Sequence, residues 1–245
     1  MAKIFITGSA DGLGQMAAIL LDSQGHEVIL HARNKERAKQ AINKVPGAKD
    51  VLIADLSNLE ETKQLAEKVN STGDFDSIIH NAGVYQTSYE QIFRVNTLAP
   101  YILTCLIQKP KRLIYLSSSM HRHGNPDLQN LLTEDSGTSY SNSKLHDLIL
   151  AKVVARKWSN VYSNAVDPGW VPTKMGGPGA SDNLDKGFQT QAWLAVSNDN
   201  DAKVSGYYFY HRKQDDYLHV ADDIDVQENF LSMCERITNI SFPKS

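Results

Sequence analysis

Apolar residues along this chain alternate between two spacings. Short runs rich in Ile, Val, Leu and Phe occur near Lys3–Thr7, Glu27–His31, Asp50–Ala54, Ser77–His80, Arg112–Ser117, Val161–Val166 and Tyr207–Tyr210. Near-continuous apolar runs of this length predict strands buried on both faces. Between them, stretches patterned as amphipathic helices include Gln15–Ser23, Lys35–Lys44, Leu59–Val69, Ile92–Ile107 and Ser141–Trp158. That alternation predicts an α/β, doubly wound architecture: a mostly parallel sheet of seven strands with helices on both faces. No repeat, low-complexity tract or Pro/Ser-rich linker divides the chain, so residues 1–245 read as one domain. The glycine- and proline-rich stretch 169–187 is too long for a simple connection and predicts a substrate-binding loop.

Composition narrows the class. The 245 residues suffice for a large core. Their formal charge of −3, with no dense Lys/Arg run, offers no field for gripping nucleic acid or an anionic membrane. Cys105 and Cys234 are far apart, lack metal-ligand spacing and read as free thiols of a reducing compartment. No apolar run approaches bilayer-spanning length, and the first strand begins almost at Met1. The expectation is a cytoplasmic protein without a leader, and no metal site is expected.

The first strand runs directly into Thr7-Gly8-Ser9-Ala10-Asp11-Gly12-Leu13-Gly14. In such a turn Gly8 permits the sharp exit from the strand, and Gly12 removes a Cβ where backbone must approach a phosphate. Gly14 lets the next helix pack closely on the sheet. Free N–H groups and the positive helix end then face an anion. Other strand ends carry suitable groups too. Asp55 can accept from an adenine amino group, and Asn81-Ala82-Gly83 lets a cofactor lie against backbone. Ser117-Ser118-Ser119 brings hydroxyls, and Val166-Asp167-Pro168-Gly169 precedes the long loop. Ligands of doubly wound sheets bind at those ends. Tyr140 and Lys144 are four residues apart, hence on one helix face. An ammonium beside a phenol is expected to lower the phenol's pKa and fit it for proton exchange.

Taken in order, TGSADGLG, ADL, HNAG, FRVNTLAP, the serines, YSNSK and DPGWVPTKM resemble the short-chain dehydrogenase/reductase family over essentially the whole chain. The resemblance implies a Rossmann fold and an NAD(P)-dependent oxidoreductase acting on a carbonyl/alcohol substrate. It puts the family's catalytic tetrad on Asn96, Ser118, Tyr140 and Lys144. Tyr140 would be the acid/base, and Ser118, with Ser117 and Ser119 as alternatives, the donor to the substrate oxygen. Lys144 would be the ribose binder and Asn96 the holder of a relay water. It also implies cofactor contacts at Ser9, Asp11, Leu13, Asn34, Leu56, Pro168, Gly169, Val171 and Thr173, beside those of Gly8, Gly12, Gly14, Asp55, Asn81, Ala82, Gly83, Tyr140 and Lys144. At the end of the second strand, Ala32 stands where NAD-preferring members carry an acid. Arg33 follows it and suits a 2′-phosphate. This favours NADP over NAD. Asp11, where NADP-using relatives often have a base, argues the other way unless it caps the first helix.

Three departures shape the expectation. The segment from Gly83 to Asn96 is short, which puts the family's usual tetramer in doubt, leaves a homo-oligomer open and opens the site. The longer stretch from Ser119 to Tyr140, with His121, His123, Asp127 and Leu128, is similar to the branch containing retinol dehydrogenases, the WW-domain oxidoreductase and protochlorophyllide reductase. A histidine at the cleft mouth is the expected role there, rather than a metal ligand. Asp167 reads as a turn-forming acid. Trp170, Val171, Pro172 and Met175 suggest an apolar lip, while Trp193 fits a lid or ordinary packing. A dinucleotide-binding sensor that does not catalyse is the rival from another class; epimerase or dehydratase chemistry would need a larger C-terminal region.

Overall fold

Ile4 and Ile6 turn to one side of the sheet and Phe5 to the other, and all three are fully buried. A strand apolar on both faces can only sit mid-sheet with helices above and below. In the computed structural model, which describes residues 1–244, this strand, β1 (Lys3–Ile6), does so. Its parallel neighbours are β2 (Glu27–Ala32) and β4 (Ser77–His80). With β3 (Asp50–Ile53), β5 (Arg112–Leu116), β6 (Tyr162–Asp167) and β7 (Tyr208–Tyr210), the strand order is β3-β2-β1-β4-β5-β6-β7-β8. The eighth strand corrects the expected seven: β8 (Lys213–Gln214) pairs antiparallel with β7. It is two exposed residues long, too short to leave an apolar pattern.

Helices α1 (Gly12–Ser23), α2 (Lys35–Lys44) and α7 (Leu184–Val196) cover one face; Ala18, Leu21, Ala41 and Ala192 pack on Ile4, Ile6, Val28 and Leu30. The other face carries α3 (Leu59–Ser71), α5 (Ala99–Leu106), α6 (Tyr140–Lys157) and α8 (Ile224–Thr238). Side chains set these boundaries. Asn34 Oδ1 accepts from the Arg37 amide at 2.9 Å, and Asn58 from those of Glu60 and Glu61, satisfying donors a helix start leaves unpaired. Asn183 likewise caps α7, so the predicted loop ends there and 184–187 form the first helical turn. The helix expected over Ile92–Ile107 is composite: α4 (Tyr89–Ile92), a π-helical segment Phe93–Leu98 and then α5. Such wide turns mark places where a side chain must be re-aimed, and Asn96 is at the centre of this one.

The C-terminal segment closes the second face. Arg156 of α6 donates to Gln227 of α8. Beyond α8, Tyr101 donates to the Ile240 carbonyl at 2.7 Å and Trp158 to that of Pro243 at 3.2 Å, with Phe242 packed on the indole. Trp193, in turn, packs edge-on against Phe209 and donates to Asp199, and is a half-buried packing residue at the edge of the core. Cys105 and Cys234 are free and buried. No helix among the described residues is long and apolar enough to cross a membrane.

Two buried histidines tie this core to pH. His80 stacks on Tyr115, and His146 hydrogen bonds Thr97 and packs on Phe230. Burial pushes both down to about 3. Between pH 6.5 and that range the unfolded chain binds protons that the native state refuses, so stability falls as pH drops. To urea denaturation between pH 7 and 4.5, His80 and His146 together should contribute a loss approaching about 3 kcal/mol per pH unit near pH 5, about halved in a His146→Asn chain. A flat profile would contradict neutral burial.

Candidate active site

Strand order reverses between β1 and β4, so the connections leaving these two strands diverge and open a crevice at their C-terminal ends. A cavity of about 410 Å³ occupies it. Its walls are side chains that polar ties hold in place. The Asn81 and Ala82 amides both donate to Thr7 Oγ1 at 3.0 Å, and Asn81 Nδ2 donates to the carbonyls of Thr7 and Gly8. Gly8 and Gly12 have φ of +63° and +56°, a region that favours glycine. A Cβ on Gly8 would lie 2.8 Å from Ala82 Cα, and one on Gly14 2.3 Å from Asn81 Nδ2. A Cβ on Gly12 would meet nothing within 4 Å. The Leu13 and Gly14 amides stand in the first turn of α1, where no upstream carbonyl completes them. Glycines that bring backbone close to open space at a helix start fit a dinucleotide pyrophosphate.

Ser9 and Asn34 are structural rather than cavity-lining. Ser9 Oγ donates to Ile6 O and accepts from the His31 amide, and Asn34 caps α2. Gly14 packs on Asn81 behind the wall. Gly169 and Val171 are also absent from the lining, whereas Pro168, Thr173, Asp55 and Leu56 belong to it. Asp167 accepts from the Gly169 amide at 2.8 Å, which is its turn-forming role.

Among the lining residues not singled out in the sequence, three carry ionisable side chains. His31 accepts from the Gly8 amide through Nδ1 and donates through Nε2 to Ala54 O, each at 3.0 Å. Burial pushes it down to about 4, so it braces the turn as a neutral ring. Arg37 stands on α2 beside Arg33, and Lys174 reaches in from the long loop. Both pair with Asp11, at 3.4 Å and 2.5 Å. Asp11 also accepts from the Gly12 amide at 2.9 Å; its hydrogen bond from Lys174 leads the lowering of its pKa. Its carboxylate is therefore committed to cap and cations. The signal for Arg37 was its place one helical turn after Arg33; Lys174 is remote in sequence and left none.

At the other end, Tyr140 opens α6 and Lys144 follows one turn later, its Nζ 5.5 Å from the Tyr140 ring centre. Tyr85 packs edge-on against Tyr140 at 4.8 Å. The phenol is not depressed as expected. Burial raises it and outweighs Lys144, while Asp147, Asp167 and Tyr85 add to the rise. Asn96 is buried; it accepts from the Val84 amide and donates to Val84 O and Ser143 Oγ. Ser117 touches the cavity, but its hydroxyl donates to the Lys144 carbonyl at 2.7 Å. Ser118 accepts from the Met120 amide and keeps its hydrogen free to donate, and Ser119 is exposed. His121 is a buried brace: Nδ1 donates to Ser118 O at 2.6 Å and Nε2 accepts from the Leu218 amide. No cluster of metal-binding side chains occurs among the described residues.

The short chain dehydrogenase model matches residues 2–183, and the chain belongs to that family. It is 44% identical, over 99% of both chains, to an uncharacterized oxidoreductase of Emericella nidulans. It is 41% identical to the short-chain dehydrogenase chyC of Penicillium rubens, over 99% of this chain and 100% of that one. The solved Pseudomonas aeruginosa RhlG/NADP active-site complex has the same fold, with a TM-score of 0.69 and 20% identity over 85% of this chain and 93% of that one. The protein is thus an oxidoreductase of a family that uses NAD(P).

Gly14→Ala forces Asn81 from its two carbonyl acceptors. Titration of NADPH by quenching of protein fluorescence should show at least about tenfold weaker binding, the equivalent of one hydrogen bond to a fixed partner. Unchanged affinity would remove the turn from the cofactor site.

Proposed function

We propose that this chain interconverts a carbonyl and an alcohol using NADP(H), with Tyr140 exchanging the proton at the substrate oxygen. The observation that carries this reading is one cavity with Tyr140 and Lys144 at one end and Arg33 and Arg37 at the other. When bound, the nicotinamide supplies or receives the hydride. Tyr140 gives its proton to the oxygen of a carbonyl being reduced, or accepts it from an alcohol being oxidised. Lys144 opposes the burial that would otherwise hold the phenol's proton too tightly. Ser118 is the donor to the substrate oxygen, because the hydrogen of Ser117 is already spent. Asn96 braces Val84, and the remaining lone pair on its Oδ1 serves a relay water.

Two guanidiniums suit a 2′-phosphate, and Ala32 offers the ribose no carboxylate. Asp11, bound to Arg37 and Lys174, no longer counts against NADP. The NADP complex of RhlG supports the same reading by shared fold. Stretch 169–183 forms the substrate lip, and Trp170 and Met175, 57% and 46% exposed, favour a largely apolar substrate.

NADPH oxidation over a panel of aldehydes, ketones and quinones, with NADH in parallel, tests this. Turnover with NADPH preferred is expected. Tyr140→Phe should bind cofactor and lose about 10²–10⁴ in kcat. No turnover across the panel with cofactor binding intact would indicate a dinucleotide sensor instead. Arg37→Ala and Arg33→Ala should each raise the NADPH KM by about tenfold, the scale of a charge-assisted hydrogen bond, and leave NADH unaffected. Equal effects on both cofactors would refute the phosphate assignment.

A further inference from the structure

One buried acid takes no part in that scheme. Asp147 lies one helical turn beyond Lys144 on α6. Its Oδ2 accepts from Lys144 Nζ at 2.9 Å, and the two side chains are 4% and 5% exposed. Lys144 Nζ donates a second hydrogen bond to Leu116 O, at the end of β5, at 2.7 Å. Two of the three ammonium hydrogens are thus fixed, one by a charge. A lysine enclosed this fully loses its proton readily unless an anion accompanies it.

We propose that Asp147 is a positioning residue of the Tyr140–Lys144 site, the buried counter-ion that anchors the Lys144 ammonium and sets the pH at which the tyrosine–lysine pair releases its first proton. The inference rests on the reading of these two residues as the proton-handling pair.

The surrounding groups isolate Asp147 as the source of negative charge on this lysine. Tyr115 of β5 faces Asp147, and burial keeps its phenol neutral; His80, stacked on Tyr115, is a neutral ring. On α6 the only charged neighbour acting on Asp147 is Lys144. Burial pushes Asp147 up to about 6, against the pull of Lys144. Burial works against the Lys144 charge, but Asp147 and Tyr140 outweigh it and raise the lysine. Both directions describe an ion pair at neutral pH. An anion beside a tyrosine and an ammonium makes both hold their protons more tightly, so removing it lowers the first macroscopic pKa of the pair, whichever group releases the proton.

The test needs no cofactor. Tyrosinate absorbance in the near ultraviolet, taken as the difference between a chain and its Tyr140→Phe counterpart, isolates the Tyr140 titration. In the Asp147→Asn background its midpoint should move by about one to three pH units, downward where Tyr140 releases the first proton and upward where Lys144 does and no longer supports the phenolate, and Asp147→Glu should restore it towards the original value. The pH profile of kcat with any panel carbonyl should move the same way. Midpoints that stay in place while Tm falls would make Asp147 structural only and overturn the proposal. A shifted midpoint with full turnover in Tyr140→Phe would instead overturn the role of Tyr140 and leave the coupling standing. If the Asp147→Asn chain does not fold, Asp147→Ser carries the same titration.

Discussion

The hydroxyl of Thr7 accepts two backbone amides from the segment that leaves β4, and the geometry of the cavity depends on that junction. Parallel strands whose connections run to opposite faces must separate at their ends. Without a tie, the exposed amides of Asn81 and Ala82 would have to find water or shift. The Thr7 oxygen holds them, and Asn81 returns the favour to the carbonyls of Thr7 and Gly8. Asn96 then grips Val84 from the π-helical segment, and Lys144 grips Leu116 from α6. Each wall is thereby fixed to a strand end by polar contacts within the protein.

That economy of ties explains what could be read in advance. Ile4, Phe5 and Ile6 announce a central strand because burial on both faces leaves no polar positions. Gly8, Gly12 and Gly14 announce the turn because each lacks a Cβ for a separate reason. The same reasoning misses β8, whose two exposed residues carry no pattern, and leaves α7 and α8 unnamed in a region with no turn or motif as distinctive as those before it. It finds Tyr140 and Lys144 by spacing, but it mistakes the direction of the phenol's pKa. Spacing reports the ammonium, whereas the burial and the acids that oppose it come from elements far apart in sequence.

Charge beside Arg33, at the cavity's rim, shows the same division. Arg33 is legible beside Ala32, but the meaning of Asp11 is not, because its partners come from α2 and from a loop more than 160 residues away. In the sequence Asp11 is an unexplained acid in a glycine-rich turn. In the fold it is a cap that also organises two cations. Exposed pairs of this kind contribute little to stability, so their effect is on where the cations stand.

The residues that seal α5 and α6 come from the segment beyond α8, more than 80 positions after the side chains they cover. Until Ile240, Phe242 and Pro243 dock, Tyr101 and Trp158 lack part of their cover, and a partly folded chain presents an aromatic surface of the kind that chaperones and other unfinished chains bind. Closure of this face therefore waits on the segment that follows α8.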